Sequence, residues 1–147
     1  MNEKYDLIET ANQSGNFRIF LEALEATGLK EFLQDSGPYT LLAPIDDAFV
    51  NIPPAKREIL FKPENREVLE SVLRNHIILE NVPSRALKRR DAIRTAAAGQ
   101  EVRVEGRGAG LWINEAQVLT TDIMASNGVL HAIDTVLIPE SQAAAAN

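Results

Sequence analysis

From Tyr5 to about Gly37 the apolar residues fall at helical spacing, clearest at Phe17, Phe20, Leu21 and Leu24, which gathers them on one side of a helix. Gly28 and Gly37 stand where such helices would stop, because glycine enters the left-handed conformation of a helix end at little cost. The first quarter therefore predicts two or three helices. The run GPYTLLAP is short, apolar and bounded by Gly-Pro and Pro, which suits a buried strand. Asp46-Asp47-Ala48-Phe49 predicts a short helix, Pro54 the start of another, and Pro63-Glu64 the start of a longer one. Proline and acidic side chains both suit a first helical turn. The longer helix carries Val68, Leu69, Val72, Leu73 and His76 on one face.

Beyond Pro83 and a brief helical turn at SRALKRR, the period changes. Val102 and Val104 alternate with charged residues between Glu101 and Glu105, RGAG separates that stretch from LWIN, a run from Gln117 to Met124 follows, and Asn127-Gly128 precedes a last apolar run. Alternation and a turn dipeptide predict an antiparallel sheet of short strands. In the last strand the pleat puts Val129, His131, Ile133, Thr135 and Leu137 on one side, with Leu130, Ala132, Asp134, Val136 and Ile138 on the other. His131 and Asp134 then cannot form a side-by-side pair. Residues 140–147, SQAAAAN with its preceding glutamate, read as a disordered tail or an expression remnant.

Composition narrows the function. With 147 residues, 45% of them hydrophobic, the chain has the length and apolar content of one domain with one core. Fifteen basic against twenty-one acidic residues leave a net charge of −6, which argues against nucleic acid or an anionic membrane as partner. No apolar run approaches the roughly 20 residues of a membrane-spanning helix. The absence of cysteine removes disulfides, thiol catalysis and thiolate metal sites without fixing the compartment. His76 and His131 are the only histidines, and neither Ser-His-Asp spacing nor a Gly-rich phosphate loop accompanies them. Asp46-Asp47 lacks the alternating oxygen ligands that calcium needs. No catalytic centre, metal or cofactor is expected.

Two segments are more specific. TLLAPIDDAFVNIP, from Thr40 to Pro53, and, some eighty residues later, SNGVLHAIDTVLIP, ending at Pro139, resemble the two signature segments of the fasciclin-like domain family. RNHII at 74–78 resembles its Tyr-His segment, and INEAQVLTTDIMASNG resembles its usual approach to the second signature. The resemblance spans roughly Tyr5 to Pro139 and implies a single fasciclin-like domain over residues 1–139. The implied α+β fold is a twisted antiparallel β-wedge with several helices packed along one side. It also implies a noncatalytic, monomeric adhesion or interaction module, secreted, periplasmic or at the cell surface, whose partner is a cell-surface, matrix or envelope protein or glycan. A signal peptide upstream of Met1 is expected on the same ground. The alternative is a small-molecule binder or unusual hydrolase using an apolar cleft.

Two departures qualify the resemblance. Ile45 stands where the family often has a helix-capping threonine, so Asp46 or Asp47 is expected to take the cap. Asn75 replaces the tyrosine usually found before His76, which weakens a contact role for His76 and its segment. His131, between apolar neighbours, reads as a buried hydrogen-bonding post, expected to tie the last strand to Ala43-Pro44 or Asp46-Asp47. Asp122 and Ile123 occupy the position of the Asp-Ile pair that centres integrin-binding segments in animal members of the family. They are candidate contact residues; a strand end with Asp122 bonded to local backbone and Ile123 in the core is the structural alternative. Arg85, Lys88, Arg89, Arg90 and Arg94 form a basic patch, read as a solvated helix face or a contact for an acidic partner. Trp112 is expected to pack in the core. Asn12-Gln13-Ser14 fits a glycosylation acceptor, relevant only to a eukaryotic secretory pathway.

Overall fold

A computed structural model describes residues 5–34, 37–96, 100–107 and 110–137. The helical spacing of the first quarter becomes three helices, α1 (Leu7–Ser14), α2 (Arg18–Thr27) and α3 (Leu29–Phe32). Gly15 and Gly28 close the first two at φ of 80° and 81°. Strand β1 (Tyr39–Pro44) follows, then α4 (Asp46–Val50) and α5 (Pro54–Leu60). A 3-10 turn at Pro63–Asn65 leads into α6 (Arg66–Arg74). After β2 (Ile77–Ile78) come α7 (Ser84–Leu87), β3 (Ala92–Arg94), β4 (Glu101–Arg107), β5 (Gly110–Ile113), β6 (Ala116–Ala125) and β7 (Gly128–Ile133). The expected tail at 140–147, and Ile138 and Pro139 before it, lie outside the described residues.

The seven strands form one sheet in the order β2-β1-β7-β6-β5-β4-β3. All but one of the neighbouring pairs are antiparallel; β1 and β7 run parallel, with Leu42 opposite His131. Parallel strands at the middle of a sheet are covered on both faces and so read as continuous apolar runs. This is the pattern of TLLAP and GVLHAI, where both strands are buried almost end to end. One face meets the helices: Leu41, Ala43, Leu130 and Ala132 join Leu7, Phe20, Leu24, Phe49 and Leu73 in one core cluster. On the other face Leu42 and Ile133 join Ile78, Val82, Leu87, Val102, Val104, Leu111 and Ile113 in a second. For β4 and β5 to meet β1 and β7 there, the sheet must curl, which makes the wedge. Helices α1–α6 contribute to the first cluster, whereas α7 lies on the second through Leu87.

The first signature departs from its expected capping. Ile45 stands at the N-cap of α4, and no side chain caps that helix. The Asp46 carboxylate instead accepts from the Ile19 N–H at 2.9 Å, in the first turn of α2, which lacks a cap of its own. Asp46 also donates its N–H to the Asn16 carbonyl. The residue expected to cap its own helix caps another one, 27 positions earlier, and Asp47 is exposed beside it.

Candidate functional site

The two histidines are built alike. His76 follows α6 at its C-terminal end, fully buried, with its ring edge-on to Phe20 at 5.9 Å between centroids. Its Nε2 accepts from the Leu137 N–H at 2.8 Å. A backbone N–H can only donate, so the proton sits on Nδ1, which donates to the Val72 carbonyl at 2.9 Å. Burial pushes its pKa down to about 4, against a smaller opposing pull from the Val72 bond. Asn75 beside it is buried too, donating to the Leu137 carbonyl at 2.9 Å and accepting from the Thr95 hydroxyl at 3.3 Å. The expectation that His76 contacts a partner is corrected by this geometry: no ring atom reaches the surface and both nitrogens are engaged with backbone.

His131 is also fully buried. Its Nδ1 accepts from the Asp122 N–H at 3.1 Å, and its Nε2, which therefore carries the proton, donates to the Val82 carbonyl at 2.8 Å. Burial lowers its pKa, opposed by the Val82 bond and the Asp122 charge. The expected side-chain tie to Ala43-Pro44 or Asp46-Asp47 is not the one found: backbone pairing joins β7 to β1 there, and the ring reaches Val82 and Asp122. Asp134, on the opposite side of the pleat, accepts from the Gln117 N–H at 2.8 Å and so secures the start of β6.

Strand β6 does not pair evenly with β7. Its register slips between Val118 and Thr120 and again between Thr120 and Ile123, so the stretch between bulges outward. Leu119 is 48% exposed, and Thr120, Thr121 and Asp122 are exposed with it. Asp122 sits at a φ of 61°, a conformation uncommon outside glycine and tolerated best by Asn and Asp. Bonds to His131 and Ser84 hold it there. Its N–H goes to His131, and its carboxylate accepts from both the N–H and the hydroxyl of Ser84 at the start of α7. Burial works to raise the Asp122 carboxyl, but the Ser84 bonds, the His131 ring and the Thr121 side chain together outweigh it and hold the group below the ordinary aspartate value. Ile123 turns inward, half-buried against the first core cluster. The side chains of Asp122 and Ile123 therefore divide, one to the surface and one to the core.

Ser84, Asp122 and His131 are brought together by the fold from positions that sequence spacing does not link. They do not make a nucleophile and base. Such a pair needs the hydroxyl bonded to an imidazole nitrogen. Here the Ser84 hydroxyl donates to a carboxylate, and both nitrogens of His131 are used by backbone. The sequence singled out His131 and the Asp122-Ile123 pair but not Ser84, and none of these indicates a bulge.

A cavity of about 510 Å³ lies between α1 and α2, lined by Ile8, Ala11, Phe17 and Leu21 under a rim that includes Glu9, Arg18 and Glu22. Neither histidine lines it. Among the described residues no three His, Asp or Glu side chains converge as metal ligands. In the basic patch, Arg90 holds Glu80 through two 3.0 Å bonds and Arg94 lies 3.8 Å from Glu101. Arg85, Lys88 and Arg89 are exposed on α7 and the turn after it. Trp112 is half-buried on β5, opposite Glu105 and Gln117, on the side of the pleat away from Leu111 and Ile113. It belongs to neither core cluster, contrary to the expectation of core packing.

Among the described residues no helix is long and apolar enough to cross a membrane. A family model for the Fasciclin domain matches residues 15–139. Protein sll1483 of Synechocystis is 31% identical over 133 residues, covering 90% of this chain and 73% of that protein. Transforming growth factor-beta-induced protein ig-h3 of Sus scrofa is 36% identical over 127 residues, covering 85% of this chain. The chain spans only 18% of that longer relative. A solved FAS1 domain pair from the insect cell adhesion molecule Fasciclin I superposes with a TM-score of 0.82 at 16% identity, over 95% of this chain and 52% of that one. The signature segments, the curled sheet with its helical flank, and the match over residues 15–139 agree: the chain belongs to the Fasciclin domain family.

Proposed function

We propose that this chain is a noncatalytic adhesion or interaction module, acting as a monomer outside the cytoplasm, secreted, periplasmic or at the cell surface. Its partner is a cell-surface, matrix or envelope protein or glycan. The observation that carries this reading is the bulge of β6. Leu119 to Asp122 are pushed into solvent by two register slips, yet Asp122 is fixed from behind by a buried histidine and from the side by Ser84. A rigid, exposed segment mounted on a sheet loses little entropy on binding. Arg85, Lys88 and Arg89 extend the surface from the helix that Asp122 holds, and they favour a partner with acidic groups. The likeness to an insect cell adhesion molecule supports the same reading.

The test is affinity capture from native envelope or culture medium on the immobilised chain. Leu119→Asp and a triple Arg85→Glu, Lys88→Glu, Arg89→Glu variant are each expected to lose tenfold or more of the material retained by the original chain, while melting normally. Val50 is similarly exposed, at 57%, but lies at the end of α4, so Val50→Asp is expected to retain it. Undiminished capture by both of the first two variants would remove the bulge and α7 as the contact surface.

A further inference from the structure

We propose that His131 is an acid-operated latch on the β6 bulge: protonating its ring breaks the bond that fixes Asp122 and transfers the Asp122 carboxylate from Ser84 to the imidazolium. The geometry is restrictive. The neutral ring offers one acceptor, Nδ1, and the Asp122 N–H occupies it at 3.1 Å. A second ring proton can only go on Nδ1, because Nε2 already donates to Val82. The new N–H would then point at the N–H of Asp122, two donors face to face, and that bond is lost.

The replacement acceptor is on the same residue. Asp122 carries its carboxylate beside the ring, and among the described residues it is the one charged group that acts on His131. Among the described residues the neighbouring elements bring no other charge that acts on the ring: β1 places Leu42 opposite His131 in the register, and the segment before α7 contributes the Val82 carbonyl. A carboxylate that turns inward to the imidazolium leaves the N–H and hydroxyl of Ser84. Because Asp122 is held in a left-handed conformation by these bonds, their loss also frees its backbone to relax toward ordinary strand angles. The bulge and the first turn of α7 would move together, while the core beneath stays packed.

The direction with pH follows from burial. The folded ring titrates below the ordinary histidine value of 6.5, so the latched form prevails above that value and opens as acid is added. Burial also pushes His76 down, to about 4, and among the described residues no carboxylate acts on that ring, so His76 has no comparable switch partner. Any effect on adhesion rests on the contact surface proposed above; the latch itself does not.

The experiment is an amide and imidazole NMR titration of the chain from pH 7.5 to 4.5. The expected result is that the amide resonances of Asp122 and Ser84 shift reversibly along the same curve as the His131 ring protons, with the dispersion of core signals retained. In His131→Gln, where a neutral amide fills the ring's place, the shared curve is expected to vanish. In Asp122→Asn, which keeps the N–H and an acceptor for Ser84 but removes the charge, the curve is expected to move to lower pH. Asp122 and Ser84 amides that stay fixed until the whole spectrum collapses would overturn the latch. So would a shared curve that persists in His131→Gln, or one unmoved in Asp122→Asn. Partner capture repeated at pH 7.5 and 5 separates the two readings: capture insensitive to pH with a working NMR latch would refute only its link to adhesion.

Discussion

Replacing Gly128 with alanine is expected to destabilise the fold by more than about 4 kcal/mol, beyond the range of most single substitutions. Gly128 lies opposite Tyr39 where the parallel pair of β1 and β7 begins, and the Tyr39 N–H donates to the Asn127 carbonyl at 3.0 Å. A Cβ added at Gly128 falls inside contact distance of the Tyr39 carbonyl oxygen, carbonyl carbon and nitrogen. These are backbone atoms, and no rotamer change moves them away. Separating the strands would disturb Asn127, whose buried side chain accepts from the Leu7 N–H at 2.9 Å and donates to the Leu33 carbonyl at 2.7 Å. The clash therefore reaches the ends of α1 and α3 as well as the sheet. Urea denaturation measures the loss, and Gly106→Ala is the control. Gly106 lies on β4 with nothing near its missing Cβ, and its change is expected to stay within about 1 kcal/mol.

His76→Ala is expected to cost about 3 to 5 kcal/mol. The ring packs on Phe20 in the main core, so its removal leaves a cavity, and large-to-small changes of aromatic size cost about this much. The Leu137 N–H and Val72 carbonyl would be left buried and unpaired, each adding part of a desolvation penalty. The same geometry sets a pH dependence in the original chain. The folded pKa, about 4, lies below the ordinary 6.5, so the folded state binds fewer protons than the unfolded state between these values. The stabilisation from a neutral His76 is then fully present above pH 6.5, declines through that window and is absent below about pH 4. The loss amounts to about 3 kcal/mol, since one pKa unit corresponds to about 1.4 kcal/mol. Urea midpoints of His76→Gln measured across the same range are expected to show a shallower acid decline than those of the original chain. Equal slopes would remove His76 as the source.

The fold was legible where periodicity and turn chemistry act locally. Phe17, Phe20 and Leu24 marked a helix because one face is buried, and Asn127-Gly128 marked a turn. The parallel pairing of β1 with β7 was not legible, although its trace was present. Both segments are apolar without alternation, which follows from burial on two faces, but a short apolar run alone does not say which strand lies beside it. The site was read less completely for the same reason. His131 was recognisable as a histidine among apolar neighbours, but its partner Asp122 depends on two register slips in β6, which no alternation encodes, and Val82 lies on a distant segment before α7. Asp46 was recognisable as a capping residue, yet the helix it caps is α2, a tertiary choice. Trp112 went to the outer side of its strand because Leu111 and Ile113 fill the inner one.

The central claim is that both histidines are neutral posts between backbone groups, so that contact rests on the exposed surface they support. A long-range proton–nitrogen NMR correlation of the imidazole rings at neutral pH tests it most directly. The account predicts a protonated Nδ1 with a bare Nε2 for His76, and a bare Nδ1 with a protonated Nε2 for His131. Either ring found in the opposite tautomer, or charged at neutral pH, would contradict it.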